Sequence, residues 1–352
     1  MRSLATKQYG KPNGFEILDL PKPEIKNPDD VLIKVKATSI NPIDLHVANG
    51  LGKGYIPGSL PFKIGYDVCG TVVATGTEVS SDIKQGDEVW ARVPEEYRGT
   101  VSEYVISPAF ATAHTPSSLS HLESASMPLV SLTALQVLDK ANDIIEGGLE
   151  GKTLYIPAGL SGVGSAALQL AKRIFKAGKV ITTLSTGKIA KIDGLIGEGV
   201  ADQIVDYTKE DPGKVIPAGS VDFMFDITGQ AMPSLHLMKK NGLILTINGI
   251  PFGESVKQRL PNLPLIPRLI FNTYGTVVQF RASRYGVKYF HVFVRPSAED
   301  LTRLRGWVEQ GLIKPVVGKV AKFEDIKAVR EGCLEIASGK GGIGKFVIDL
   351  EA

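Results

Sequence analysis

The chain has 352 residues, 43% of them hydrophobic and 22% charged, with 38 glycines and a formal net charge of +3. That length exceeds the roughly 100–200 residues of a single domain, so two lobes with separate cores are expected. The small net charge and the lack of a Lys/Arg run with interleaved aromatics argue against nucleic acid as a partner. Met1–Lys7 carries no apolar run of the signal-peptide kind, and no apolar stretch approaches the ~18 residues of a membrane span, so a cytoplasmic location is the expectation. Cys69 and Cys333 lie far apart in sequence, offer neither a disulfide framework nor a metal cluster, and read as small buried apolar groups.

From Val31 to about Val105 the chain shows short β-branched runs broken by Gly, Pro and Asp: Val31–Lys36, Gly70–Ala74, Glu88–Ala91 and Ser102–Ile106. They predict an all-β lobe. Around Ser126–Asp139 the spacing turns helical, with Leu129, Leu132, Leu135 and Leu138 three apart, which sets a lobe boundary near Met127. Strand candidates then alternate with helical stretches: Leu154–Pro157, Val180–Leu184, Gln203–Asp206, Asp222–Ile227, Leu243–Ile247 and Tyr289–Val294. Alternation of this kind builds a parallel sheet whose ligand sits at the carboxyl ends of the strands. Pro261–Phe271, apolar but broken by three prolines, reads as a packed loop, with a substrate lid or subunit contact as the sharper alternative. After Pro296 come a helix (Ala298–Gln310), a strand (Val316–Val320), a helix (Glu324–Ala337) and a strand (Phe346–Leu350), which the β lobe is expected to reclaim.

The most informative segment runs Thr153-Leu-Tyr-Ile-Pro-Ala-Gly-Leu-Ser-Gly-Val-Gly164. An apolar strand passes through small residues into an amphipathic helix, which turns the unpaired N–H groups of the helix start toward an anion. Gly162 allows close backbone approach to a pyrophosphate, and Gly164 allows tight packing of helix on strand. Such turns also occur for packing alone, and the strict G-x-G-x-x-G spacing is absent. The next strand, Val180–Leu184, ends in Ser185-Thr186-Gly187-Lys188, with Lys191 nearby and no acid. An acid there accepts the ribose 2′-hydroxyl of NAD. Hydroxyls and an ammonium suit a 2′-phosphate instead, so NADPH is favoured, although Lys188 and Lys191 also read as solvated helix charges.

With these residues in place the chain resembles the medium-chain dehydrogenase/reductase superfamily, in its zinc-free, quinone-oxidoreductase-like branch. The markers in order are Asn41-Pro42-Ile43-Asp44, Gly65-Tyr66-Asp67-Val68-Cys69-Gly70-Thr71-Val72, Gly86-Asp87-Glu88-Val89, Ser102-Glu103-Tyr104, Thr133-Ala134, Ser161-Gly162-Val163-Gly164-Ser165, Ile204-Val205-Asp206-Tyr207, Phe225-Asp226 and Gly344-Lys345. The resemblance implies a Rossmann-type, doubly wound parallel sheet plus a mainly β GroES-like catalytic domain. The domains would be 1–126 (GroES-like), 127–296 (NADP-binding) and 297–352 (completing the catalytic domain). Zinc-dependent relatives place a Cys just before the Asp44 position and a His-Glu pair where Tyr66-Asp67 stand. Pro42 cannot ligate, and a phenol is a poor substitute for His, so no metal is implied.

A metal-free site suits quinones and enones, whose delocalised enolate needs only hydrogen bonding and later a proton. The resemblance carries Asn41 and Asp44 to the catalytic site, with turn capping as the alternative for both residue types. Tyr55 and Tyr66 are the candidate proton donors, against a plain core or surface role, and His46 is a reserve donor. For the cofactor it implies Thr133, Ser161, Gly162, Val163 and Gly164 with Ser185, Thr186, Lys188 and Tyr207, and Asn248, Val292, Phe293 and Lys345 toward the nicotinamide. Ser161 departs from the family's first glycine. The activity implied is NADPH-dependent reduction of a quinone or α,β-unsaturated carbonyl, with a dedicated biosynthetic enoyl reductase, or an NADPH-binding sensor or scaffold of vestigial activity, as alternatives. Relatives pair through the last sheet strand, which implies a homodimer.

Overall fold

The computed structural model describes residues 1–80, 82–253, 256, 263–339 and 342–351. They form two compact units, Met1–Leu132 together with Arg295–Ala352, and Thr133–Val294. The division falls inside the helix Pro128–Ile144 rather than ahead of Met127, because the first turn of that helix belongs to the first unit: the Leu129 N–H donates to Asp67 Oδ1 at 2.7 Å.

The first unit is mainly β. Its strands are β1 (Arg2–Thr6), β2 (Phe15–Asp19), β3 (Asp30–Ile40), β4 (Phe62–Lys63), β5 (Asp67–Thr75), β6 (Glu88–Arg92), β7 (Tyr104–Pro108) and β8 (Thr112–His114). The strands β1, β2 and β4 make a small antiparallel sheet in the order β2-β1-β4. In the middle of β3 buried Ile33, Val35 and Ala37 alternate with the less buried Lys34 and Lys36, while both ends of the strand are buried on either face, and β3 carries both β5 and β7. At the far end of the chain, β15 (Val317–Lys322) runs parallel to β16 (Lys345–Asp349). β16 pairs antiparallel with β3, Phe346 opposite Ile40 and Asp349 opposite Ala37. The larger sheet therefore runs β15-β16-β3-β5-β6-β8. The helices Ala298–Glu309, ahead of β15, and Ile326–Ala337, between β15 and β16, start on side-chain caps: Ser297 accepts from the Asp300 N–H, and Asp325 from the Ala328 N–H.

The second unit is a parallel sheet of β9 (Thr153–Ile156), β10 (Lys179–Leu184), β11 (Gln203–Asp206), β12 (Val221–Asp226), β13 (Met238–Thr246) and β14 (Lys288–His291). Their order, β11-β10-β9-β12-β13-β14, is doubly wound, with the direction of winding reversing between β9 and β12. The fold is thus the Rossmann-type sheet with a GroES-like β domain. Continuous apolar runs such as Phe223–Phe225 and Leu243–Leu245 are buried to 1% exposure or less, as strands covered on both faces must be.

One expected loop is a helix. Pro261 lies outside the described residues, but Leu265–Ser283 is α-helical, with Pro264 as the residue before its first turn and Pro267 inside that turn. Proline is tolerated there because the first turn's N–H groups have no intrahelical partner.

Candidate functional site

In the second unit the turn after β9 has the geometry of an anion cradle. Ser161 caps the helix Gly162–Arg173, its Oγ accepting from the Gly164 N–H at 3.0 Å. The N–H groups of Gly162 and Val163 make no hydrogen bond among the described residues and lie at the positive end of the helix. Ser161 therefore replaces a glycine with a cap, and takes up one of the donors that a bare turn would leave. Gly164 is required for a reason other than packing against the strand: a Cβ there would lie 2.2 Å from the Ala158 carbonyl oxygen and 2.9 Å from Ser161 Oγ. Ala158 itself sits at φ 58, the left-handed region, and its N–H donates to Thr183 Oγ1 at 3.0 Å, so β10 holds the turn in its tight shape.

The end of β10 differs from expectation in one respect. Ser185 begins the short helix Thr186–Ile189 without using its hydroxyl as a cap, and Lys188 is half-buried, with burial lowering its pKa. Thr186, however, donates to Asp206 Oδ2, at the end of β11, while the Thr208 hydroxyl and N–H donate to Asp206 Oδ1 at 2.6 and 3.1 Å. These bonds hold the Asp206 carboxyl below the usual carboxylate range. An acid does stand beside the second strand, supplied by the third, where Leu184 pairs with Asp206. The only trace of it in the sequence is the Val205-Asp206-Tyr207 run. Tyr207 is exposed beside it.

Of the residues expected toward the nicotinamide, Asn248, Val292 and Phe293 lie near the carboxyl ends of β13 and β14, whereas Lys345 stands in β16 of the first unit. The Asn248 side chain donates to the Ile227 carbonyl at 3.2 Å, and the Val292 N–H to Thr246 O at 2.9 Å, which continues the parallel pairing. Phe293 meets the His291 ring edge-on at 4.7 Å. His291 is buried, its Nδ1 has no partner among the described residues, and burial with Lys140 nearby pushes its pKa down to about 4, so the ring is neutral at physiological pH. Thr133 is buried in the helix Pro128–Ile144.

In the first unit Asn41, Asp44 and Lys345 come together, but with each other rather than at a surface. Asn41 caps the helix Pro42–Ala48, and its own N–H donates to Asp44 Oδ2 at 2.7 Å. The Asn41 amide donates to Asp67 Oδ2 at 2.8 Å, while its oxygen accepts from the Lys345 ammonium, which also reaches the Ile40 carbonyl at 3.1 Å and Asp67 at 3.4 Å. All four side chains are at most 6% exposed. Burial lowers the Lys345 pKa against the pull of Asp67 and Asp44, and pushes Asp44 up to about 7. The capping alternative for Asn41 and Asp44 is what the geometry displays, and Lys345 stabilises Asp67 instead of presenting its charge outward. Asp67 is the centre of this cluster, accepting also from Ser39 Oγ at 2.8 Å and from the Leu129 N–H. An acid in the apolar run of β5 and a lysine in the apolar run of β16 were the signals that they pair.

Tyr66 is fully buried. Its hydroxyl donates to Glu95 and accepts from Arg98 Nη1 at 3.1 Å, and the Arg92 guanidinium lies 5.0 Å over its ring. The phenol is thus engaged with charged partners through both its proton and its oxygen. Tyr55 is 46% exposed on the turn after the helix Pro42–Ala48, and His46 is exposed on that helix. At the positions compared above with zinc-dependent relatives, Pro42 has no side-chain donor, Tyr66 is bonded to Glu95 and Arg98, and Asp67 accepts from four partners. Among the described residues no three His, Cys, Asp or Glu side chains gather as a metal would require.

Comparison with known proteins agrees with this fold. The family "Alcohol dehydrogenase GroES-like domain" matches residues 27–117, and "Zinc-binding dehydrogenase" matches residues 200–348. The chain is 30% identical over 342 residues to a 2-methylene-furan-3-one reductase of Solanum lycopersicum, covering 94% of this chain and 74% of that protein. It is 33% identical over 333 residues to an NADPH-dependent alkenal/one oxidoreductase, chloroplastic, of Arabidopsis thaliana, covering 92% and 73%. The solved quinone oxidoreductase from Coxiella burnetii superposes with a TM-score of 0.78 at 26% identity, over 99% of each chain. The chain belongs to the medium-chain dehydrogenase/reductase superfamily. Within it, the chain is an oxidoreductase with a GroES-like domain and a Rossmann-type sheet.

Proposed function

We propose that the protein uses NADPH to reduce a quinone or an α,β-unsaturated carbonyl, without a metal and in the cytoplasm. The observation that carries the cofactor choice is the pairing of the Ser161–Gly164 helix start with Ser185 and Lys188 at the end of the neighbouring strand. Gly162 and Val163 offer N–H groups to a pyrophosphate. Ser185 and Lys188 offer a hydroxyl and an ammonium to a 2′-phosphate, while Asp206, the nearby acid, is occupied by Thr186 and Thr208. Exposed Tyr207 suits a contact with the adenosine, and Thr133, Asn248, Val292 and Phe293 with the nicotinamide end. Bound NADPH supplies the hydride. Tyr55 is the tyrosine whose exposure fits proton donation, and the Asn41–Asp44–Asp67–Lys345 cluster holds the helix Pro42–Ala48 that precedes it. The names of the tomato, Arabidopsis and Coxiella proteins support a conjugated carbonyl or quinone as acceptor.

The test follows loss of nicotinamide absorbance with NADPH and with NADH against naphthoquinones, enones, enals and simple aldehydes. NADPH with quinones or enones is the expected combination, unchanged by chelators. Lys188→Ala should weaken NADPH binding by roughly tenfold or more, one charge-assisted bond, and leave NADH alone. Equal use of both cofactors by the wild type, or no consumption with any acceptor, would overturn the proposal.

A further inference from the structure

The helix Leu265–Ser283 has two faces of different character. One seats it on the second unit's core: Gly275, Val278 and Ala282 are buried, and Gly275 packs so closely that a Cβ would lie 2.5 Å from the Phe252 ring. The opposite face is apolar and exposed, with Leu265, Ile266, Leu269, Ile270, Val277 and Phe280 each between 53 and 72% exposed. Seven of the fifteen large apolar side chains exposed among the described residues lie on this one helix, so the patch is a concentration and not the usual scatter. Thr273 and Thr276 lie on the same side. Their hydroxyls donate back to the carbonyls of Leu269 and Asn272 at 2.9 and 3.0 Å, so they place no demand on water.

The charge along this stretch of the chain has one sign. No Asp or Glu occurs between Glu254 and Glu299, whereas the stretch includes Arg268, Arg281, Arg284 and Lys288. On a helical wheel Arg268 and Arg281 flank the apolar stripe on either side. The whole chain carries only +3, so positive charge is gathered here. We propose that this helix docks flat on an anionic lipid bilayer, its apolar stripe entering the headgroup boundary and its flanking arginines meeting lipid phosphates or carboxylates. No helix among the described residues is long and apolar enough to cross a membrane, so the contact is interfacial. A second copy of the chain meeting the same face about a two-fold axis would bring like charges together, which the lipid surface does not.

The inference goes beyond the reductase reading and is tested without it. The full chain is sedimented with sucrose-loaded vesicles of phosphatidylcholine alone or mixed with phosphatidylserine, with circular dichroism and thermal unfolding as controls for folding. Binding to the mixed vesicles is expected, weak binding to the neutral ones, and release by salt. Ile266→Glu combined with Phe280→Glu should lower partitioning at least tenfold, as both side chains point outward and neither supports the core. Arg281→Glu should weaken binding to the anionic vesicles by roughly fivefold or more and change little on neutral ones. No binding to either vesicle, equal binding to both, or an unaffected double variant would overturn the proposal. So would sedimentation velocity showing a dimer that Phe280→Glu converts to monomer, since a second copy would then cover the face.

Discussion

Asp44→Asn isolates the proton held by the buried cluster of the first unit. Burial, with repulsion from Asp67, raises the Asp44 carboxyl from 3.8 to about 7 even though the Asn41 N–H favours its charged form. Between those values the folded chain holds a proton that the unfolded chain has released. The stabilisation is therefore complete below pH 3.8 and is lost as the pH rises through about 7. That interval corresponds to about 4 kcal/mol. Asparagine copies the protonated acid permanently: its carbonyl oxygen can accept the Asn41 N–H, which Asp44 Oδ2 accepts at 2.7 Å, and it never carries a charge into the interior. Measured by urea unfolding at matched pH, the variant should equal the wild type near the acid end. It should then gain on the wild type up to roughly 4 kcal/mol at alkaline pH. Taking the difference between the two proteins removes the other titrating groups. His291 is one of these: held near 4, it contributes stability that is lost as the pH falls from 6.5 through that value, the opposite trend. Parallel stability curves for variant and wild type, or a variant less stable than wild type at pH 8, would refute the account of Asp44.

Two further substitutions test neighbouring arguments. Lys345→Met removes the cation that faces Asp67 at 3.4 Å in a buried setting, and should cost about 3–5 kcal/mol in denaturant unfolding. Adding Asp67→Asn should recover part of the loss, and a Lys345→Met protein of wild-type stability would contradict the cluster. Gly164→Ala forces a methyl group to within 2.2 Å of the Ala158 carbonyl, a conflict of about 1–3 kcal/mol that only movement of the phosphate turn relieves. NADPH affinity by fluorescence titration should fall while circular dichroism stays native, and an unchanged affinity would show that the turn does not grip the nucleotide.

What was legible in the sequence was whatever depends on local order. The strand at Gln203–Asp206 appears with its expected bounds because β-branched residues between turn formers leave few other choices. The glycine-rich turn after β9 was readable because strand, small residues and helix follow one another along the chain. The packing around residues distant in sequence was not. Asp67 and Lys345 stand 278 positions apart, and only the antiparallel pairing of β16 with β3 brings the lysine to the carboxylate. The same holds for Asp206, which the sheet sets beside Thr186 across 20 positions, so that a hydroxyl expected for a phosphate is already engaged. For Pro264 and Pro267 the sequence signal was ambiguous, since proline breaks a helix interior yet suits a first turn. Thus the chain's own order determined the class of fold and the glycine-rich turn after β9. Which polar groups are spent on one another, and which face outward, was decided by tertiary pairing, because burial makes an unpaired charge so costly that it takes the nearest partner the fold provides.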